Sequence, residues 1–192
     1  MANTYLLSDE SKHYLNCYYQ ILDEMIQAIT TARLTQSISH NFIVQVIPHH
    51  RAGERMCRNI LEVSNDRSVR RLAQQIAAQR SQDIQRMEEQ LPVCAQLLNP
   101  HPDLRLYQRR AELISRQMFL RMGASPENNC LNAVFLRQMV PHHLGAVRLA
   151  QNALRHEVAT PLPPLLRAIA DTQRRELRQI QALLQRRGCQ AG

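Results

Sequence analysis

A nine-residue stretch that occurs twice in the chain constrains the fold more than any other feature. It reads FIVQVIPHH at residues 42–50 and FLRQMVPHH at residues 135–143, so Phe, Gln, Pro and both His recur 93 residues apart. A proline inside a helical pattern removes a backbone donor and bends or breaks the helix. Buried imidazoles also need partners for both ring nitrogens. Because the chain carries both costs twice, the stretch predicts a site or a strong structural requirement.

The correspondence extends well beyond this stretch without a gap. The following pairs match at the same offset: Tyr14 and Tyr107, Met25 and Met118, Arg55 and Arg148, Asn59 and Asn152, Leu72 and Leu165, Ile76 and Ile169, Asp83 and Glu176. We interpret this as a tandem duplication of a three-helix unit. The units are predicted at residues 10–98 and 103–190. A three-helix unit buries little surface alone, so the two should pack as one compact domain about a pseudo-two-fold axis.

Apolar residues recur at helical spacing along almost the whole chain, which predicts an all-α fold. The expected helices are 10–34, 39–63, 67–91, 103–122, 130–156 and 163–187. The prolines at 92, 100 and 102 should separate the units, since proline cannot continue a helix. Pro48 and Pro141 leave two alternatives, which are a kink within one helix or a helix that restarts at the proline.

The composition favours a protein of the cytoplasm. Five cysteines occur without a CxxC pair, which suggests free thiols in a reducing compartment. The chain begins without a basic and then apolar leader, and no apolar run approaches the roughly 20 residues of a membrane span. The formal net charge is +8 and comes almost entirely from arginine. These arginines are spread along every helix, so solvated helix faces are expected rather than a nucleic-acid surface.

The histidines of both motifs lie on the inward half of their predicted helices. His49 and His142 share a seam with apolar residues at spacings of three and four, and His50 and His143 lie in the neighbouring seam. One interpretation is a hydrogen-bonded core in which Asp83 or Glu176 accepts from the imidazoles. The other is a metal site, because methionine sulfur beside imidazole favours Cu(I). The inward methionines are Met25, Met56, Met87, Met118 and Met139.

Catalytic signatures are weak. The spacing of Glu10 and His13 suits a carboxylate di-iron site, but that motif would have to occur twice with two further glutamates. No glycine-rich phosphate loop, GxSxG or HExxH sequence is present. The sequence therefore predicts a protein that is not an enzyme.

The two motifs resemble the bacterial domain of unknown function numbered 305. Its signature reads approximately MIPHHxGAxxM, followed about thirty residues later by QxxEIxxM. Matching residues in the first half are His49, His50, Met56, Asp83 and Met87, whereas Arg80 stands where the signature has Gln. Matching residues in the second half are Met139, His142, His143, Gln173 and Glu176. The resemblance implies a ferritin-like helical bundle, and CopM-type relatives in this family bind copper through Met and His.

Two functions follow as expectations. The first is a cytoplasmic, non-enzymatic bundle that binds copper. His49 and His142 would be its principal ligands, His50 and His143 ligands or supports, and the five methionines soft ligands, while Asp83 and Glu176 would orient the imidazoles. The alternative is a structural or interaction protein whose histidines are hydrogen-bonded core residues. The chain would be a monomer or a homodimer.

Overall fold

The computed structural model describes residues 6–186, which form six α-helices and no strand. The helices are α1 (Asp9–Thr30), α2 (Ile38–Val63), α3 (Arg67–Cys94), α4 (His101–Gly123), α5 (Leu131–Ala153) and α6 (Leu162–Arg186). The prediction of an all-α chain is therefore confirmed for these residues. None of the six helices is apolar over a length that could cross a membrane.

Side-chain caps set the starts of the first three helices. Ser8, Ser37 and Asp66 each accept a hydrogen bond from a backbone N–H of the first turn, which satisfies donors that the helix leaves unpaired. The predicted helix 10–34 was too long, because the segment after Thr30 is held by another contact. The side chain of Asn41 accepts from the backbone N–H of Thr35 at 2.8 Å.

Prolines disturb the helices less than expected. Pro48 and Pro141 both lie inside continuous helices, so neither helix restarts at its proline. Pro92 was expected to end α3, but the helix continues to Cys94. The cost is small there, because a proline in the last turn displaces few hydrogen bonds. Pro100 precedes α4 and Pro102 lies in its first turn, where a missing N–H costs nothing.

The duplication is visible in matching contacts. In each half the middle helix contacts the helices before and after it, and the halves meet through α2 with α5, α3 with α6, and α1 with α4. Asn59 donates to the carbonyl oxygen of Tyr14 at 3.0 Å, and Asn152 donates to that of Tyr107 at 3.0 Å. Two equal bonds between equivalent residues show that the two units fold alike at this contact.

The apolar core is divided into two clusters. One contains α1, the second half of α2, the end of α4 and the beginning of α5, and the other contains the first half of α2, the beginning of α4 and the end of α5. Between them lies a layer of eight buried polar side chains, which we call the polar layer. Its members are His49, His50, Arg80, Asp83, His142, His143, Gln173 and Glu176. Each apolar cluster thus uses both repeats, and the polar layer lies where the repeats meet.

Candidate functional site: the buried polar layer

His49 and His142 form the centre of the polar layer. Both are fully buried, and their rings stack with centroids 3.8 Å apart and an angle of 21° between the planes. The Nε2 atom of His49 lies 3.1 Å from the carbonyl oxygen of His142, and Nε2 of His142 lies 3.1 Å from the carbonyl oxygen of His49. Since a carbonyl only accepts, each Nε2 carries a proton and donates it. The two helices α2 and α5 are joined by this reciprocal pair.

Small residues allow the close approach. A Cβ atom added to Gly53 would lie 2.7 Å from Cε1 of His142, which is closer than such contacts allow. The equivalent residue in the second repeat is Ala146, which is also buried. The absence of a side chain at Gly53 therefore makes room for the His142 ring against α2.

Burial controls the charge of the stacked rings. Loss of hydration lowers the pKa of both His49 and His142 well below the usual range, and the positive groups nearby lower it further. Both rings are therefore neutral at physiological pH. Because Nε2 carries the proton, Nδ1 keeps a lone pair, and neither Nδ1 atom has a hydrogen-bond partner among residues 6–186.

His143 has a partner at both ring nitrogens. Its Nδ1 lies 2.9 Å from the carbonyl oxygen of Met139, and its Nε2 lies 3.0 Å from Oε2 of Glu176. Burial alone would raise the pKa of Glu176, but the His143 bond and the Arg80 charge hold it below the usual value, so the carboxylate is ionised. Both ring nitrogens therefore face acceptors.

The equivalent residues of the first repeat are less tightly joined. Nε2 of His50 lies 3.4 Å from Oδ2 of Asp83, which is long for a hydrogen bond. Burial lowers the pKa of His50, although the neighbouring carboxylates oppose that shift. Burial alone would raise the pKa of Asp83, but His50 and Arg80 together hold it below its usual value. Asp83 also accepts from Gln79 at 2.9 Å.

Arg80 connects the two halves of the layer. Its side chain is fully buried, and Nη2 donates to Oε2 of Glu176 at 2.5 Å across the repeat boundary. Its Nη1 lies 3.9 Å from Oδ2 of Asp83. The equivalent residue in the second repeat, Gln173, is also fully buried. One guanidinium group therefore stands beside both buried carboxylates, and removing either partner would leave a buried charge uncompensated.

Arg80 and Gln173 stand at a signature position of both repeats, but they were not predicted as site residues. A signal was present, because Ile76, Arg80, Asp83 and Met87 follow spacings of four, three and four along one face of α3. A charged residue in an apolar seam indicates a buried partner. The partner itself, Glu176, lies 96 residues away and could not be read from this pattern.

The methionines expected as soft ligands lie in the apolar clusters on either side of the polar layer. Four of them pack in one cluster and Met87 packs in the other. Those four are Met25, Met56, Met118 and Met139. The sulfur of Met118 lies against Gly145, where an added Cβ atom would be only 2.1 Å away. Within residues 6–186, no group of three or more His, Cys, Asp or Glu side chains is arranged to hold a metal ion.

The cysteines also differ from expectation. Cys17, Cys57 and Cys94 are free, and burial raises the pKa of both Cys57 and Cys94, so these two thiols stay protonated. Cys130 is disulfide-bonded, which corrects the expectation that all thiols are free. Cys189 lies outside the described residues.

The sequence matches the domain of unknown function DUF305 twice, over residues 15–91 and 113–188. The chain belongs to the DUF305 family. The two matched segments correspond to the two repeats, which agrees with the predicted tandem duplication. The chain is also similar to a solved structure described as a DUF305 fragment from Deinococcus radiodurans. The two are 28% identical with a TM-score of 0.57, and the match covers 78% of this chain and 96% of that one.

No curated protein matches this member of DUF305. The family description assigns no activity, so the match supports the fold and the duplication rather than a function. A ferritin-like arrangement, kinship with CopM-type relatives and a cytoplasmic location stay predictions.

Proposed function

We propose that this DUF305 protein is a non-enzymatic helical scaffold that acts by binding a partner at its surface. In this proposal the duplicated His-His motifs hold the two repeats in register. The observation that carries it is the reciprocal pair in which His49 and His142 each donate to the other's backbone carbonyl oxygen at 3.1 Å. Both Nε2–H donors of the pair are therefore used inside the fold.

The reciprocal pair of His49 and His142 contributes more to the register of α2 against α5 than to the overall stability of the fold. A typical hydrogen bond contributes only about 1 kcal/mol net, whereas leaving a buried donor unpaired costs about 1–3 kcal/mol. A shift of α2 against α5 would leave both Nε2 donors unpaired at once. The pair therefore disfavours alternative packings more than it stabilises the native one.

The polar layer fits a resident cation poorly. The lone pairs of an imidazole lie in the ring plane, and the planes of His49 and His142 are nearly parallel, so their lone pairs do not converge on one point. Arg80 also places a fixed positive charge beside Asp83 and Glu176, the carboxylates that would balance a metal ion. These contacts support a structural assignment for the histidines.

The test is a pair of matched double variants. A glutamine amide can reproduce the Nε2 donor but not the Nδ1 lone pair, whereas alanine removes both. We expect His49→Gln with His142→Gln to keep the free energy of unfolding within about 1 kcal/mol of wild type, and His49→Ala with His142→Ala to lose about 2–5 kcal/mol. Denaturant unfolding measures both.

Titration of the purified, reduced protein with Cu(I) and Zn(II) completes the test. The structural proposal expects no stoichiometric binding, and elemental analysis of the protein as isolated should agree. Stoichiometric metal that is bound by wild type and lost in the glutamine variant would contradict it, because that variant keeps an N–H donor in place of Nε2–H but has no imidazole nitrogen to bind a metal.

Copper binding is the second candidate. One observation favours it, namely that the Nδ1 atoms of His49, His50 and His142 are buried without hydrogen-bond partners among the described residues. Binding would require the two stacked rings to separate and Arg80 to move from its carboxylates. The same titration decides between the two candidates.

A further inference from the structure

The outer face of α4 carries three leucines that the fold does not require. They lie seven residues apart, so they follow one face of the helix over about 21 Å. Their exposed fractions are 42% for Leu106, 55% for Leu113 and 68% for Leu120. The equivalent positions of α1 are occupied by His13, Gln20 and Gln27. Since α1 and α4 have the same place in their repeats, the leucines serve something other than packing within the chain.

A groove beside this stripe is strongly basic. It lies between α4 and α5, has a volume of about 370 Å³, and is lined by Leu113 and by the guanidinium groups of Arg110, Arg148 and Arg155. No acidic side chain lines it. Within the described part of the chain, none of these three arginines forms an ion pair, and Arg148 donates only to the side chain of Gln117 at 3.3 Å. The groove therefore has an unbalanced positive charge.

One carboxylate lies near the end of the groove. Asp103 acts electrostatically on His156, the ring that also feels Arg110 and Arg155. Burial lowers the pKa of His156, with the two arginines adding to that shift and Asp103 opposing it. No carboxylate lines the groove beside its three guanidinium groups, so the charge of the groove stays positive.

The first repeat provides an internal comparison. There Arg55, the counterpart of Arg148, pairs with Glu24 of α1. Three acidic positions of the first repeat are lost in the second: Asp23 corresponds to Arg116, Glu24 to Gln117 and Glu62 to Arg155. The same architecture therefore supports a balanced surface on one side and a basic, leucine-bearing surface on the other. This difference in charge and in exposed leucines lies in surface residues of the two repeats.

We propose that the α4–α5 groove binds an acidic amphipathic helix of a protein partner. The partner's leucines would pack along the α4 stripe, and its carboxylates would face the three arginines. A second copy of this chain fits poorly, because it would bring arginine against arginine. A bilayer is flat and cannot enter a groove between helices, and no aromatic side chain lines the groove to stack a nucleic-acid base.

This inference rests on the proposed scaffold role but uses no residue of the polar layer. The two can therefore fail separately. Metal bound through the Nδ1 atoms would overturn the structural role of the histidines and leave the groove untouched. A groove that binds no helix would leave the histidine pair unaffected.

The probe is a synthetic 21-residue helix with leucine every seventh residue and glutamate on both flanks. A control peptide has the same composition with the leucine spacing scrambled. Fluorescence anisotropy against the full chain should give binding that weakens at least tenfold in Leu113→Ala with Arg148→Ala. The matched control is Gln20→Ala with Arg55→Ala, which alters the equivalent exposed residues of the first repeat and should change the affinity less than twofold.

Three outcomes would overturn the proposal. The first is equal affinity for both peptides, or no affinity for either. The second is an unchanged affinity in Leu113→Ala with Arg148→Ala. The third is a different occupant: the peptide does not bind, but phosphatidylglycerol vesicles, a DNA duplex or a second copy of the chain does. In that case Leu113→Ala with Arg148→Ala would abolish the vesicle or DNA binding, or the dimer seen by light scattering. Weaker peptide binding at 300 mM than at 50 mM salt, with the leucine spacing still required, supports it.

Discussion

The four histidines of the duplicated motifs have the same sequence neighbours but not the same protonation. His49 and His142 are neutral and donate through Nε2, because each faces a carbonyl oxygen in a site that excludes water. His143 faces an acceptor at both nitrogens. His50 has only the long contact of 3.4 Å with Asp83. Local partners therefore decide the chemical state of each ring.

The protonation of His143 can be measured directly. Long-range 15N–1H correlation spectra at neutral pH should show protons on both nitrogens of His143, and the Nε2–H tautomer for His49 and His142. In Glu176→Gln the acceptor at Nε2 becomes a neutral amide, so His143 should lose one proton. A single proton on His143 in wild type would contradict the assignment. The tautomer of His49 serves as the control, because it does not contact Glu176.

For the individual residues of the polar layer, the sequence predicted which side chains face inward but not which residues they contact. The helical register placed His49, His142, Asp83 and Glu176 on buried faces, and the structure brings them into one layer. The stacking of His49 on His142 depends on how two helices pack, which no local pattern encodes. Arg80 was not predicted for the same reason, because its partner Glu176 is a carboxylate on another helix.

The helices themselves were predictable to within a few residues, because each buries a stripe at regular spacing. The predicted helices differ from the observed ones at their ends, because a single contact can determine where a helix ends. Helix α5 ends at Ala153 and not at residue 156, and α1 ends at Thr30 and not at residue 34. The mid-helix prolines show the same limit. Local chemistry left two alternatives, a kink or a restart at the proline, and the restart is excluded because α2 and α5 are continuous through Pro48 and Pro141.

Close packing of α2 on α5 can be tested at Gly53. In Gly53→Ala the new Cβ atom would lie 2.7 Å from the His142 ring, which its hydrogen bond and the His49 stack hold in place. We expect a loss of about 1–3 kcal/mol in the free energy of unfolding. Gly123→Ala is the matched control, because its Cβ atom would meet nothing within 4 Å. That variant should be neutral or gain up to about 1 kcal/mol. Equal effects in both variants would contradict the close-approach argument.

The whole molecule is organised around a polar layer in which opposite charges are neighbours. Asp83 and Glu176 carry negative charges, and Arg80 stands beside both of them. Removing one member leaves another charge buried without a partner, which typically costs about 3–5 kcal/mol. The layer separates two apolar clusters that both repeats share, so its charge pairs affect the contact between the repeats as a whole.

The stability of the whole molecule should therefore fall in acid. Burial lowers the pKa of His49, His50 and His142 in the folded state. Below about pH 6.5 the unfolded chain binds protons at these positions that the folded chain does not, so stability decreases as the pH falls. We expect a loss of up to about 2 kcal/mol per imidazole between pH 7 and pH 5. The contribution of the two carboxylates, whose pKa values are lowered, should disappear only below about pH 4.

Denaturant unfolding at pH 5, 6, 7 and 8 measures the pH dependence of stability. His49→Gln with His142→Gln should remove about two thirds of the change between pH 7 and pH 5, because it removes two of the three imidazoles. A stability that does not vary over that range would show that the three rings are not held neutral by burial.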